Sequence, residues 1–120
     1  MTKSEFVAAS QTAVPNTSLV EVIRRKYSLS IPESIGKILS VLPQGGFLEG
    51  DDFCRVMSSA EIASANENLH TDFASKQLLP IIDLGDNIFV VFDGNRQEFG
   101  RFSLNDELLY RHSEKLNEIL

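Results

Sequence analysis

The chain has 120 residues, of which 42% are hydrophobic and 23% are charged, and its 17 acidic residues outweigh 11 basic ones to give a formal charge of −6. A chain of this length buries roughly two-thirds of its unfolded surface, which is enough for one core. The acidic balance disfavours direct binding to nucleic acid or to an anionic membrane, because both ligands draw their affinity from lysine and arginine. We therefore expect one acidic domain that binds neither.

The excess of acid is confined to the middle of the chain. Residues 49 to 93 contain nine acidic and two basic side chains, a net charge of −7, whereas the flanking residues together carry a net charge of +1. Any surface that owes its properties to negative charge is therefore expected to come from this middle segment.

Compartment signals are sparse. The single cysteine, Cys54, cannot form an intrachain disulfide, so the fold requires no oxidising compartment. No apolar run reaches the roughly 20 residues of a membrane helix, and the N-terminal residues lack the apolar block of a signal peptide. These features predict a cytoplasmic protein.

The N-terminal residues carry the weakest structural pattern. Residues 1–17 mix Ser, Thr, Ala and Gln, and Pro15 interrupts them. They predict a weak helical turn or a loosely ordered arm, and the domain proper then covers residues 18–120.

Two helices are predicted at the start of the domain. Ser18 and Glu21 have the spacing of a capping box, and apolar residues follow at helical intervals, which predicts a helix over residues 18–27. Pro32 is tolerated in the first turn of a helix, and a second apolar stripe predicts a helix over residues 33–42.

The next segments are short. Residues 47–48 and 53–57 are apolar and flank an acidic turn, which predicts two short strands. Ser58 and Glu61 form another capping box, so we expect one short middle helix after the second strand.

A meander of three strands follows. Residues 78–82, 88–92 and 98–102 are rich in β-branched and aromatic side chains, and Gly and Asn in the two intervening turns accept a positive φ. Residues 88–92 are apolar without alternation, which predicts a strand in the middle of the sheet with both faces covered.

The end of the chain predicts a helix. Ser103 or Asn105 can cap it, and the apolar stripe that would face the sheet consists of Leu108, Leu109, His112, Leu116, Ile119 and Leu120. The whole order predicts an α+β fold. It would have a mainly antiparallel sheet with a central meander, two N-terminal helices, one short middle helix and a C-terminal helix packed on the sheet.

Catalytic and metal-binding patterns are weak. Cys54, His70 and Asp72 are the residue types of a nucleophilic triad, but Cys54 lies on a predicted apolar strand, which favours an inert core thiol. Neither His70 nor His112 has a partner at metal-ligand spacing. We therefore expect no catalytic residue, no metal, no cofactor and no enzymatic activity.

Six carboxylates of the acidic middle segment are the candidates for contact with a partner. They are Glu49, Asp51, Asp52, Asp83, Asp86 and Asp93. The first three lack the alternating oxygen ligands of a calcium loop, and the last three flank the two meander turns, where Asp often binds nearby backbone amides. Two interpretations remain open for each residue: an ordinary solvated or turn-forming acid, or part of a binding surface.

The order of the segments is known from a protein family. From residue 18 to residue 46 a short helix, Ile31-Pro32, a second apolar helix and Gln44-Gly45-Gly46 follow one another. They are followed by VMSSAEIASANENL, LLPIIDLGDNIFVVFD and EFGRFSLNDELLYRHSEKLNEIL. Over residues 18–120 this order resembles the SUKH superfamily. The chain differs from the family's pattern in lacking tryptophan and in carrying Gln44 where Asn is usual.

The resemblance implies a binding protein without an active site. Bacterial members are mostly immunity proteins that neutralise toxin domains, often nucleases, and fungal members are regulatory scaffolds of cell-wall synthesis. A nuclease presents Lys and Arg to hold phosphate, so an acidic protein surface can occupy the same site. We therefore expect an intracellular immunity-type protein that binds a basic toxin domain stoichiometrically through the six carboxylates. A regulatory or scaffold module that binds another protein is the alternative.

Overall fold

One antiparallel sheet of six strands organises the computed structural model, which describes residues 1–120. The strands are β1 (Gly46–Phe47), β2 (Arg55–Val56), β3 (Leu78–Asp83), β4 (Ile88–Asp93), β5 (Glu98–Ser103) and β6 (Leu108–Ser113). The helices are α1 (Lys3–Thr12), α2 (Thr17–Tyr27), α3 (Glu33–Val41), α4 (Ser59–Ala63), α5 (Ala65–Asn68), α6 (Phe73–Lys76) and α7 (Leu116–Ile119). The strands pair in chain order. The predicted α+β fold is confirmed.

Strand β4 lies inside the sheet, as predicted, and every residue after Ile88 in it is buried. Neighbouring residues of a strand point to opposite faces, so both faces need cover. On one face the ring of Phe73 from α6 contacts that of Phe102 from β5, with 5.6 Å between centroids. On the other face Phe99 lines a cavity with residues of α1, α3 and α7. Helices therefore cover the meander on both sides.

Helix α1 lies in residues 1–17, for which we predicted a weak helical turn or a loosely ordered arm. Thr2 accepts the N–H of Glu5 and donates its own N–H to the Glu5 carboxylate, which is a complete capping box. Phe6 is fully buried, and α1 packs against α3. Apart from Phe6 and Val7 the side chains of α1 are small or polar, so no apolar stripe marked the helix. Tertiary packing of one aromatic side chain stabilises it instead.

The two predicted helices at the start of the domain are present as α2 and α3. Helix α2 begins at Thr17, because the side chain of Asn16 caps it by accepting the N–H of Leu19. The predicted capping box of Ser18 and Glu21 is therefore wrong, and Glu21 instead forms an ion pair with an arginine of the same helix.

The middle of the chain has the two short strands that we predicted, β1 and β2. The capping box of Ser58 and Glu61 is confirmed at the start of α4. Two further helical turns, α5 and α6, follow it. No helix of the chain has the length and hydrophobicity needed to cross a bilayer.

The C-terminal helix is much shorter than predicted. It is confined to α7, which packs on β5 and β6, and the residues before it form strand β6. A turn precedes β6: the carboxylate of Asp106 accepts the N–H of Leu108, and Glu107 has a φ of 56°. Pairing of β6 with β5 satisfies backbone groups that a helix would have left unpaired along β5.

Candidate functional site

Two turns bring most of the predicted carboxylates to one end of the sheet. Residues 48–54 connect β1 to β2, and residues 84–87 connect β3 to β4. Because β2 and β3 pair antiparallel with Arg55 opposite Asp83, both turns lie at the same end. The turns also touch, since a Cβ placed on Gly85 would lie 3.4 Å from the ring of Phe53. We call Glu49, Asp51, Asp52 and Asp86 the acidic end.

The carboxylates of the acidic end are available to a partner. All four residues are exposed, and the ion pairs and side-chain hydrogen bonds of the structure leave Asp51, Asp52 and Asp86 without a partner. Glu49 lies 3.6 Å from the N-terminal amino group of Met1. Three of the charges therefore remain uncompensated by close contacts within the chain.

A groove of ≈ 520 Å³ runs beside the acidic end. Its apolar lining consists of Phe53, Leu84, Ile88 and Leu120, and its charged lining consists of Asp52, Asp86, Lys3 and Arg101. Arg101 donates from Nε to the carbonyl of Ile119 at 2.8 Å, which anchors its side chain to α7. Such a groove can hold an apolar side chain between charged groups of both signs.

Asp83 belongs to a structural network rather than to the free surface. One of its carboxylate oxygens accepts the N–H of Gly85 at 2.8 Å, and the other lies 3.4 Å from Arg55. Arg55 also donates to Glu61 at 2.8 Å, and this hydrogen bond lowers the pKa of Glu61. Asp83 therefore helps to position the turn of residues 84–87 and links β3 to β2 and α4.

Asp93 lies apart from the other candidates. It ends β4, whereas the turn of residues 84–87 precedes β4, so roughly 17 Å of strand separates the two positions. Its side chain is buried, with an exposure of 4%, and accepts the N–H of Asn95 at 2.8 Å and that of Arg96 at 3.4 Å. This carboxylate satisfies a turn and is not available to a partner.

The three residues weighed as a nucleophilic triad have separate environments. Cys54 is buried, and this burial raises the pKa of its thiol. The carboxylate of Asp72 accepts hydrogen bonds from Ser75 N–H and from Asn66, not from His70, and the Ser75 bond is the main cause of the lowered pKa of Asp72. No group of three or more His, Cys, Asp and Glu side chains has an arrangement that would hold a metal ion.

An exposed aromatic pair at the acidic end was missed by the sequence analysis. Phe47 and Phe53 are 65% and 49% exposed, and their rings meet edge to face with 5.4 Å between centroids. The apolar pattern assigned both to short strands, but Phe53 lies in the turn before β2. The adjacent Gly46 and the Asp51-Asp52 pair were the available signals that Phe47 lies on an edge strand and Phe53 in a turn.

Comparison with known proteins identified no relative of this chain. No protein-family model matches the chain, and no curated protein or solved structure matches it either. A functional proposal therefore rests on the residues of this chain and on its resemblance to the SUKH superfamily.

Proposed function

We propose that this chain is a non-catalytic binding protein of the cytoplasm that neutralises a basic toxin domain by stoichiometric binding through the acidic end. The observation that carries the proposal is the grouping of three unpaired, exposed carboxylates, Asp51, Asp52 and Asp86, on two touching turns. The order of segments that resembles the SUKH superfamily supports the same role, because its bacterial members are mostly immunity proteins.

Electrostatics explains how such a surface would act. A nuclease domain must present Lys and Arg to hold phosphate, and carboxylates on a protein can pair with the same side chains. Close charge pairs across an interface contribute coupling energies of about 1.5–7 kcal/mol, and opposite charge also accelerates encounter. A carboxylate that makes no ion pair within its own chain gives up only hydrogen bonds to water when it forms these contacts.

The test is a charge reversal of the acidic end, Asp51→Lys, Asp52→Lys and Asp86→Lys together. The binding partner is the protein encoded directly upstream of this gene, measured by calorimetry in about 50 mM and about 200 mM salt. We expect one-to-one binding that weakens with salt, and a loss of at least about 100-fold in the variant, which corresponds to about 2.7 kcal/mol. Far-UV circular dichroism checks that the variant folds.

The matched control reverses three exposed acids elsewhere, Glu33→Lys, Glu67→Lys and Glu114→Lys, and so changes the net charge equally. We expect it to lose less than about threefold in affinity, because charges beyond a Debye length are screened. Equal losses in the two variants would mean that only net charge matters. An unchanged affinity and salt dependence in the acidic-end variant would refute the proposed contact.

A regulatory or scaffold module is the second candidate, and one observation favours it. An apolar groove of ≈ 210 Å³ lies between α2 and α4, lined mainly by Leu19, Val22, Ile23, Ala60 and Ala63. Val22 is 55% exposed there. Under this alternative Val22→Asp would abolish binding to the cellular partner, whereas reversal of the acidic end would leave it intact.

A further inference from the structure

The exposed aromatic pair, Phe47 and Phe53, has no structural requirement that explains it. A single exposed apolar side chain is ordinary, but two phenyl rings in mutual contact form a continuous apolar patch. Aromatic side chains of this kind are enriched at the centres of protein interfaces, where they supply much of the binding energy.

The two rings already contact each other before any partner binds. Phe47 is paired with Arg55 across the β1–β2 ladder, and Phe53 packs against Gly85, whose φ of 82° belongs to the turn. Their edge-to-face contact restrains each ring further. Preorganised side chains lose little conformational entropy on binding, which favours affinity.

Four acidic side chains lie near this pair, and Lys3 and Arg101 line the groove beside Phe53. Asp51 and Asp52 lie in the same turn as Phe53, Asp86 follows the glycine on which Phe53 packs, and Glu49 is two residues from Phe47. An apolar centre with a charged rim is the usual anatomy of a specific interface. The unpaired carboxylates of Asp51, Asp52 and Asp86 favour a partner that carries positive charge here.

We propose that Phe47 and Phe53 form the apolar centre of a docking surface for a basic protein, and that they seat an apolar side chain of that partner flanked by Lys or Arg. This inference rests on the proposed function, whose charged contacts form the rim around this apolar anchor. Charge complementarity selects this occupant. A second copy of the chain would bring two acidic ends together, and stacked nucleic-acid bases would bring phosphates to the carboxylates.

Three synthetic hexapeptides test the surface directly by NMR titration of the whole chain. They are Lys-Lys-Leu-Leu-Lys-Lys, Lys-Lys-Ser-Ser-Lys-Lys and Glu-Glu-Leu-Leu-Glu-Glu. We expect the first to shift the ring signals of Phe47 and Phe53 and to bind at least about fivefold tighter than the second, with no binding of the third. Equal binding of the first two, or shifts located elsewhere, would overturn the inference.

Two variants test whether the preference for the leucine peptide depends on the rings of Phe47 and Phe53. In Phe47→Ser/Phe53→Ser the preference for the leucine peptide is expected to fall below about twofold, whereas Val22→Ser, which removes an exposed apolar side chain of α2, keeps it. Both substituted positions of the double variant are exposed, so the fold is expected to persist. Concentration-dependent shifts of the same ring signals without peptide would assign the patch to self-association and overturn the inference.

Binding of the protein encoded directly upstream of this gene distinguishes failure of this inference from failure of the proposed function. If that protein binds the wild type and the Phe47→Ser/Phe53→Ser variant equally, while reversal of the acidic end abolishes binding, the proposed function stands and the docking inference fails. If that protein does not bind at all but the leucine peptide behaves as expected, the proposed function fails and the docking surface stands.

Discussion

At the scale of single residues, two aspartates in successive turns of the chain have opposite roles. Asp86 has a φ of 54° and an exposed side chain, a conformation that short polar residues tolerate in turns. Asp93 is buried and binds two backbone amides of the turn that follows it. Both residues matched the same turn pattern in the sequence, and only the direction of each side chain separates a surface charge from a structural one.

Asp93→Ala should therefore destabilise the fold by about 1–3 kcal/mol, because the N–H groups of Asn95 and Arg96 lose their acceptor. Asp93→Asn keeps an acceptor oxygen and should recover most of this loss. Asp86→Asn serves as the control and should change stability by no more than about 0.5 kcal/mol. Urea unfolding measures all three, and equal stabilities of Asp93→Ala and Asp86→Asn would contradict the assigned roles.

At the scale of elements, the sequence predicted correctly wherever local signals agreed with the tertiary contacts. The capping box of Ser58 and Glu61 and the apolar run of β4 are examples. The C-terminal residues show the opposite case, because Asn105 and Asp106 are favourable both in helix caps and in turns. Pairing with β5 decided between helix and strand there, and such a long-range contact leaves no local signal.

At this scale, substitutions at Phe6 and Thr2 measure how much helix α1 contributes to stability. Phe6 is completely buried, so Phe6→Ala should lower the free energy of unfolding by about 3–5 kcal/mol. Thr2→Ala removes the N-cap hydrogen bond and should cost about 1 kcal/mol. Val14→Ala is the control, because Val14 is exposed and should change stability by less than about 0.5 kcal/mol. A cost below about 1 kcal/mol for Phe6→Ala would mean that α1 contributes little to the folded core.

At the scale of the whole molecule, the acidic end arises from topology. The composition showed that the middle segment is acidic, and the sequence placed Glu49, Asp51, Asp52 and Asp86 in turns. Their grouping required the order of the strands, which places the β1–β2 and β3–β4 turns at one end and Asp93 at the other. The aromatic pair was hidden for the same reason, since a short apolar run reveals neither that β1 lies at an edge nor that Phe53 lies in a turn.

The whole fold should also depend on one buried tyrosine at alkaline pH. Tyr27 ends α2, is buried, and donates from its hydroxyl to the carbonyl of Ile62 in α4 at 2.6 Å. Burial, and secondarily the charge of Glu67, raises the pKa of Tyr27 above its ordinary value of about 10. Because the folded pKa exceeds the unfolded one, its contribution to stability is fully present below about pH 10 and is lost as the pH rises further.

Tyr27→Phe separates this linkage from ordinary packing. Near pH 7 the variant should be less stable by about 1 kcal/mol, because the hydrogen bond to Ile62 is lost. Above about pH 10 the deficit should shrink and then reverse, because phenylalanine cannot ionise. Urea midpoints across this pH range measure the crossing. In a Tyr110→Phe background, tyrosinate absorbance reports Tyr27 alone and should rise together with the loss of far-UV circular dichroism. Ionisation of Tyr27 with the dichroism intact would show that its hydroxyl does not hold α2 to the core.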